Sequence, residues 1–457
     1  MLGPMLSCRH ERAPFGDPIC EHLRAQRGEQ LSYVRWFTGA GTEVVLICSE
    51  CAARRRGGVD EGRAACAQVC EECFDLATDA LGVLTGVEGS PEVRSRSLPF
   101  ELDVREFPLP PEFGRVVALA PVDGVPSVWL LLAEDGKIVR VDLSRGESEV
   151  AGASAWKVPE EHASADADGQ SRGLHVSPDG RFAAVVHDYG EAGEVIDLVK
   201  GQVTVHLHGG AYHARTVPFA FGFASVGGRV AAIHRTDWNR VDLSDAATGK
   251  LLTERGTAAG EDDGGSEPHL DYFYGALYLN PSRTRVASDG WVWHPVGVVT
   301  TWSLSAWANN VWEPETGPSN RTVCSRVYCW DRALVWLDDT RLAVSGIGDD
   351  DSDMIEGARV FDVTQLAGEA GPWVAETKAE VMTFAGPSGV FLSDGKSLFA
   401  SDGAGLTRWD PSDGCRTGEV AGFAPTQRHA GSGEFVQLVE GRLLRWCVDA
   451  PVRGRLG

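Results

Sequence analysis

The sequence predicts a mainly β fold, namely a β-propeller of about seven four-stranded antiparallel blades with a small zinc-binding module at its N-terminus. Three observations support this prediction. Strand–turn–strand units recur through most of the chain, and seven of the eleven cysteines lie at or before Cys73. The chain has 457 residues, which exceeds one ordinary domain unless the architecture is a repeat.

Composition limits the class of protein and of partner. The hydrophobic fraction of 43% allows a large core, and no apolar run approaches the roughly 20 residues of a membrane-spanning helix. The first residues show no pattern of a signal peptide, so we expect a cytoplasmic location. The net charge of −23 repels phosphate backbones and acidic membrane surfaces. It therefore disfavours nucleic acid and favours a basic protein or peptide partner, or a metal ion.

The chain divides into three segments. Residues 1–85 hold the Cys/His cluster, residues 86–99 are rich in Gly, Ser, Pro and charge and indicate a linker, and residues 100–457 carry the repeats. The last repeat has no clear fourth strand after Cys447. We therefore expect residues 102–107 to supply a strand to it and to join the two ends of the ring.

The repeats begin as β-hairpins with turn residues between two apolar runs. They lie at 115–133, 173–187, 221–234, 276–288, 334–346, 389–401 and, in degenerate form with its turn at Gly441, at 435–447. Each hairpin is followed by a third strand that ends before Asp, a Gly-containing turn and a fourth strand. One four-stranded sheet buries little surface alone, so neighbouring sheets must pack together in a closed ring. Six or eight blades remain compatible with this spacing.

The sequence contains an SPDG turn at residues 177–180 and the pair Trp409-Asp410 after a third strand. Both resemble motifs of WD40-like propellers. The resemblance covers roughly residues 100–450 and implies a propeller fold of this type. It is a likeness of fold and names no activity.

Two cysteine pairs predict a zinc site. Cys48-x-x-Cys51 and Cys70-x-x-Cys73 are separated by eighteen residues, a spacing typical of zinc-binding modules. A strand leads into the first pair, and helical spacing follows the second as far as Leu81, which resembles a zinc ribbon or treble-clef finger. Four thiolates satisfy the tetrahedral preference of Zn²⁺, so the predicted role of the ion is structural.

Two Cys-x-His pairs lie upstream, Cys8 with His10 and Cys20 with His22. Together with the thiolate pairs they give eight ligands, enough for one or two zinc ions. The pairs combine either sequentially or in an interleaved way, for example Cys20 and His22 with the first Cys-x-x-Cys pair. Cys66 either replaces a ligand or is simply buried.

Acidic residues recur in the predicted loops between second and third strands, which share one face of a propeller. They predict an acidic rim that attracts a basic peptide or a cation. The alternative is that the Asp-Gly dipeptides among them only form hairpin turns. The candidate partner-binding residues, with two histidines that end second strands, are His187, Asp188, His234, Asp237, Asp289, Asp349, Asp350, Asp351 and Asp402.

A tryptophan-rich stretch at 290–317 offers a second candidate surface. It contains Trp291, Trp293, Trp302, Trp307 and Trp312, and Trp is favoured at recognition surfaces. The competing interpretation, which we favour for three of the five, is that they pack as core.

No sequence motif of a nucleophile elbow, a metalloprotease or a phosphate-binding loop is present. We therefore expect a non-enzymatic binding or scaffold protein, which uses a propeller face and a zinc module for docking. The alternatives are an enzyme with an active site in the axial funnel, as in a hydrolase or lyase, and a nucleic-acid-associated factor acting through the zinc module.

Overall fold

The computed structural model describes residues 15–25, 31–37, 44–56, 66–70, 73–74, 81–88, 93–98, 100, 102–157, 172–255, 271–293, 295–366 and 379–447. These residues form eight sheets, one near the N-terminus and seven in the rest of the chain. No helix among them is long and apolar enough to cross a membrane.

The N-terminal sheet has five strands in the order β4-β1-β3-β2-β5. Strands β1 and β3 are parallel neighbours, and each is followed at once by a short helix. Leu81, expected near the end of a helix, instead begins β5, which runs parallel to β2. The elements are β1 (Phe15–Cys20), α1 (Glu21–Ala25), β2 (Leu31–Phe37), β3 (Val44–Cys48), α2 (Ser49–Arg56), β4 (Cys66–Val69) and β5 (Leu81–Glu88).

The other seven sheets are the blades of the predicted propeller, and all their strand pairs are antiparallel. Blade one comprises β7 (Val116–Pro121), β8 (Val128–Ala133), β9 (Lys137–Asp142) and β10 (Glu147–Ala153). Blade two comprises β11 (Arg172–Val176), β12 (Phe182–His187), β13 (Ala192–Asp197) and β14 (Gln202–His208). Blade three comprises β15 (Phe221–Val226), β16 (Arg229–Asp237) and β17 (Arg240–Asp245). Within the described residues its sheet continues only as a single bridge between Ser244 and Leu251.

The remaining blades have four strands each. Blade four comprises β18 (Leu277–Leu279), β19 (Arg285–Val292), β20 (Val296–Ser303) and β21 (Arg321–Val327). Blade five comprises β22 (Leu334–Trp336), β23 (Arg341–Ile347), β24 (Ile355–Asp362) and β25 (Glu380–Ala385). Blade six comprises β26 (Val390–Ser393), β27 (Leu398–Ser401), β28 (Gly405–Asp410) and β29 (Cys415–Ala421). Blade seven comprises β30 (Gln427–Arg428), β31 (Glu434–Val439), β32 (Arg442–Cys447) and β6 (Arg105–Pro108).

The blades close into a ring. The first strands of successive blades contact one another from β7 through β11, β15, β18, β22, β26 and β30 back to β7. The strand expected at 102–107 lies at Arg105–Pro108 and pairs with β32, so the chain entering the ring completes its last blade. The predicted mainly β propeller of about seven blades is therefore confirmed, with seven blades.

One repeat differs from its predicted register. The hairpin around Gly441 joins the second and third strands of blade seven, whereas the other repeats begin with the first and second strands. The first strand of blade seven is the two-residue β30, too short to show as a periodic pattern.

Short helical segments decorate the loops. The helices Leu304–Trp307 and Glu313–Thr316 lie between β20 and β21, in the tryptophan-rich stretch. Trp291, Trp302 and Trp307 are buried in the core, as favoured for three of the five. Among the described residues, 3-10 turns occupy Pro111–Phe113, Asp351–Asp353 and Val363–Gln365.

Candidate metal centre and partner-binding face

Four potential metal ligands meet where two parallel strands end. Cys20 is the last residue of β1 and Cys48 the last residue of β3, so the parallel pairing brings their ends together. His22 follows in α1 and Cys51 in α2. One donor atom of each residue lies within 4.8 Å of the others. The structure thus forms a group of three thiols and one imidazole that can hold a metal ion.

Hydrogen bonds and burial define this centre further. Nδ1 of His22 lies 3.1 Å from Sγ of Cys51, and the backbone N–H of Cys48 donates to Sγ of Cys20 at 3.4 Å. The backbone N–H of Cys51 donates to Sγ of Cys48 at 3.5 Å. Burial, reinforced by the neighbouring thiol of Cys20, raises the pKa of Cys51 to about 12. A bound cation would displace these protons, and three thiolates with one imidazole form a donor set that suits Zn²⁺.

The centre uses the interleaved combination that the sequence left open. Cys70 and Cys73 are described, yet neither belongs to this group of four. Cys8 and His10 lie outside the described residues. Cys66 is not one of the four ligands but lies directly opposite Cys20 in the neighbouring strand β4. Burial raises its pKa to about 11.

The turns between second and third strands and the connections between blades lie on one face of the ring, here called the upper face. Three residues predicted for its acidic rim are buried instead. Asp289 lies inside β19, where both its carboxylate oxygens accept from Nη2 of Arg326 at 2.9 and 3.0 Å. His187 is buried at the end of β12, and His234 is buried in β16 with Nε2 2.9 Å from Oγ of Ser244. An Asp-Gly pair fits a strand interior when a buried arginine neutralises the aspartate.

Most of the other residues predicted for the acidic rim form ion pairs or hydrogen bonds with nearby residues. Asp349 pairs with Arg359 at 2.9 Å, and Asp351 pairs with Arg332 at 2.5 Å. Asp350 and Asp402 accept backbone N–H groups of their own turns. These residues lie on the upper face as predicted, but their charges are partly compensated.

A second set of carboxylates has no ion-pair partner among the described residues. Its members lie on the upper face, from the turn of blade two to the connection between blades four and five. They are Asp188, Glu191, Asp237, Asp271 and Asp331. The side chain of Tyr189 donates to Asp331 and so joins the turn of blade two to the connection between blades four and five. Burial, followed by the charge of Asp331, raises the pKa of Asp188 to about 7. Only Asp188 and Asp237 of this set were predicted.

Aromatic side chains gather beside these carboxylates. We call them the aromatic patch, and they come from blade connections and from turns of blades three and four. Phe273 and Trp291 form a buried base, with ring centroids 4.3 Å apart and planes at 14°. Tyr212 and Trp293 are 51% and 38% exposed above it. The members are Tyr212, His213, Trp238, Phe273, Trp291, Trp293 and Trp330.

The sequence indicated only the tryptophans at 291 and 293 as members of such a surface. Tyr212, His213 and Phe273 come from connections without periodicity, and only the closed ring brings them together. The sequence did carry one signal for this surface, because several aromatic residues fall in the predicted connections between blades. The most exposed aromatic side chains of the described residues, Tyr212, Trp293 and Tyr328, all lie on the upper face.

Several loop residues of the same face have a left-handed backbone conformation. Six described non-glycine residues have a left-handed φ, and four of them lie in upper-face loops between blades two and five. Such conformations cost energy and persist where the surrounding structure holds them, often at functional sites. The four are Tyr189, His213, Tyr328 and Asp331, with φ between 50° and 55°.

Two cavities are associated with the propeller. One of about 1140 Å³ extends along the ring axis between the first strands and is lined in part by Arg283, Asp331 and Arg332. Arg283 pairs with Asp123 at 2.6 Å, which joins blades one and four at the face opposite the upper face. The other, of about 290 Å³, lies beside the aromatic patch and is lined in part by Glu191 and His213.

Comparison with known proteins identifies no family. No known protein family and no curated protein matches the sequence. Among solved structures, the chain is similar to the β-propeller domain of Cps50 (Swd1) from Myceliophteria thermophila, with 14% identity and a TM-score of 0.42 over 73% of this chain and 96% of that one. It is also similar to U3-55K, with 10% identity and a TM-score of 0.43 over 76% of this chain and 98% of that one.

Proposed function

We propose that this protein is a non-enzymatic scaffold whose upper propeller face binds a basic segment of a partner protein. The observation that carries the proposal is the coincidence, on one face, of exposed aromatic rings, unpaired carboxylates and left-handed loop residues. Aromatic residues dominate the energy of interfaces, and an acidic surround attracts and orients a basic partner.

The charge of this face supports a basic partner. Glu191, Asp237 and Asp271 lie in turns or connections of blades two to four and have no ion-pair partner in the part of the chain that the structure describes. Arg215 is an exposed basic residue in the same region, and Arg235 is buried there. The carboxylates therefore outnumber the arginines and give the region a negative potential.

The N-terminal sheet supplies the second part of the proposal. We assign Cys20, His22, Cys48 and Cys51 to a structural Zn²⁺ that holds the docking module in shape. Cys70 and Cys73 are proposed to complete a second site with Cys8 and His10. The division at residues 85 and 99 and a cytoplasmic location belong to the same proposal, because clustered thiols remain available to a metal in a reducing compartment.

The test is a comparison of captured partners between matched variants of the full chain. The face variant carries Glu191→Gln, Asp237→Asn and Asp271→Asn. We expect it to lose the salt-sensitive partners that the wild-type chain captures from its own cell extract, as identified by mass spectrometry.

The control variant removes the same charge elsewhere. It carries Glu147→Gln, Glu149→Gln and Glu419→Gln, three exposed residues of the outer strands β10 and β29. We expect it to retain the partners. Equal capture by the face variant and the control would contradict the proposed binding face.

A further inference from the structure

We propose that the aromatic patch seats an arginine side chain of the bound segment. This inference rests on the proposed function and deepens it, because it names the side chain that is recognised and the residues that recognise it. The occupant is an extended basic segment of another protein, with its arginine lying on the exposed rings of Tyr212 and Trp293.

The patch is preorganised. Phe273 lies against Trp291, and Trp291 stacks on Trp330 with ring centroids 5.6 Å apart and planes at 27°. Both Phe273 and Trp291 are almost fully buried. The exposed rings above them are therefore supported from below, and a ligand does not have to order them first.

The packing of the rings indicates where a ligand lies. His213 is 4.7 Å from Tyr212 and 4.8 Å from Trp293, centroid to centroid, with the ring planes nearly perpendicular. Rings that contact one another in this way leave no space between them for a cation. A ligand must therefore lie across the exposed ring surface rather than inside a cage.

This geometry favours arginine over lysine. A guanidinium is planar, weakly hydrated and stacks on aromatic rings, whereas an ammonium is compact and strongly hydrated. Glu191 lines the cavity of about 290 Å³ together with Arg215 and with His213, which is a member of the aromatic patch. A carboxylate beside the patch offers the paired acceptor oxygens that a guanidinium prefers.

The charge around the patch agrees with this occupant. Asp237 precedes Trp238 and accepts its backbone N–H at 2.8 Å, and Asp271 lies two residues before Phe273. Neither carboxylate has an ion-pair partner within the described ranges. The buried Arg235 interacts with the charge of Asp237, but a neutral apolar segment would offer no counter-charge to Asp271, and an acidic segment would be repelled.

The experiment measures binding of synthetic peptides to the full chain at physiological ionic strength. The peptides share one Gly/Ser backbone and carry Arg, Lys, citrulline or Glu at the same positions. We expect the Arg peptide to bind at least about threefold more tightly than the Lys peptide, and the citrulline and Glu peptides to show no binding.

Variants then locate the site. Tyr212→Ala combined with Trp293→Ala is expected to weaken Arg-peptide binding about tenfold or more. Tyr212→Phe keeps the ring and retains affinity. Tyr328→Ala is the matched control, because Tyr328 is 62% exposed on the same face but outside the patch. Circular dichroism and thermal unfolding establish that each variant is folded.

The outcomes separate this inference from the proposed function. The arginine site is overturned if the Tyr212→Ala and Trp293→Ala double variant binds the Arg peptide as tightly as the wild type while the face variant loses binding. The proposed binding face would not be affected by that result. Equal binding of Arg and Lys peptides, or no Arg-peptide binding to the wild type, also overturns the arginine site. A dimer in sedimentation velocity that the double variant abolishes would assign the patch to self-association instead, and so would reject the basic segment.

Discussion

Aspartates in the same local sequence context, before a glycine, have different environments in this protein. Asp289 and Asp402 both precede glycine and were both assigned to an acidic rim. Asp402 is exposed and accepts the backbone N–H groups of Ala404 and Gly405, which lowers its pKa. Asp289 is buried against Arg326, and burial raises its pKa despite that arginine. The Asp-Gly dipeptide alone does not distinguish a turn from a strand, because the neutralising arginine is far away in sequence.

The environment of Asp188 predicts a pH-dependent effect on the stability of the protein. Its carboxyl has a pKa of about 7, against an ordinary value of 3.8, because of burial and the charge of Asp331. Protonation therefore stabilises the folded state, fully below about pH 3.8 and progressively less as the pH rises through 7. We expect Asp188→Asn to gain stability relative to the wild type between pH 5 and pH 8. The gain grows by about 2.7 kcal/mol between pH 5 and pH 7 and then levels off, since one pKa unit corresponds to about 1.36 kcal/mol.

The measurement is chemical unfolding of both proteins across this pH range. Asp402→Asn is the control, because the pKa of Asp402 is lowered and its ionised form is the stabilising one above pH 3.8. The stability of Asp402→Asn relative to the wild type should not increase as the pH rises. A constant difference between Asp188→Asn and the wild type from pH 5 to pH 8 would show that Asp188 ionises normally.

At the scale of elements, a recurrent aspartate organises the blades. Asp142, Asp197, Asp245, Asp362 and Asp410 each end a third strand. In every case a carboxylate oxygen accepts the backbone N–H of the residue two positions later. This hydrogen bond turns the chain away from the third strand, which is why an Asp follows the third strands in the sequence.

The strands of blade seven show what such local signals miss. A closing strand from residues 102–107 was expected because the last repeat lacked a fourth strand, and it lies at Arg105–Pro108. The two-residue β30 was not found, since it is held by its neighbours and carries no periodicity of its own. Long, buried strands are thus predictable, whereas short ones depend on the closed ring.

The closing strand β6 gives a prediction for the ring. Phe107 pairs with Leu443 of β32 and packs in the core cluster that includes Trp129 and Leu131 of blade one. We expect Phe107→Ala to destabilise the propeller by about 2 kcal/mol, because a half-buried aromatic side chain is lost and the edge of β32 is weakened. Denaturant unfolding of the full chain measures this.

The matched control is Val199→Ala in an exposed turn of blade two, where the side chain is 79% exposed. Its unfolding midpoint should equal that of the wild type. If Phe107→Ala shares that midpoint, β6 is dispensable and the ring is held by contacts between the first strands alone.

For the whole molecule, residues 93–98 connect the N-terminal sheet to the propeller. They lie along β29, with a parallel bridge between Ser95 and Arg416 and with Arg96 paired to Asp410 and Asp413. The sequence placed them in a linker because Ser, Arg and Pro show no strand pattern. Their partners belong to a different part of the chain, so composition could not show this attachment.

Four of the eight predicted metal-ligating residues lie together in the structure, but their grouping was left open by the sequence. The Cys and His pairs follow from local spacing, because two donors at i and i+2 or i+3 can bind one ion. Which pairs share an ion depends on the parallel alignment of β1 and β3, a long-range pairing that no local pattern encodes. The aromatic patch belongs to the same class, since its members come from separate connections of the ring.

Zinc removal tests the molecule as a whole. The N-terminal sheet has a small buried core, including Ile19, Val34 and Val45, and sheets of this size need a further constraint to remain folded. The propeller has several larger clusters and contains no member of the ligand group. We therefore expect a zinc chelator, added under reducing conditions, to abolish hydrogen-exchange protection in peptides covering β1 to α2 and to leave propeller peptides protected.

Cys48→Ser should reproduce this loss without a chelator and remove one zinc ion per chain, as measured by elemental analysis. Cys415→Ser, at a half-buried position in blade six, is the control and should retain both metal and protection. Two zinc ions in the wild type and one in Cys48→Ser would support the second site with Cys8, His10, Cys70 and Cys73. Full protection of β1 to α2 in the metal-free chain would instead show that packing alone holds the sheet, and the four clustered donors would then lose their structural role.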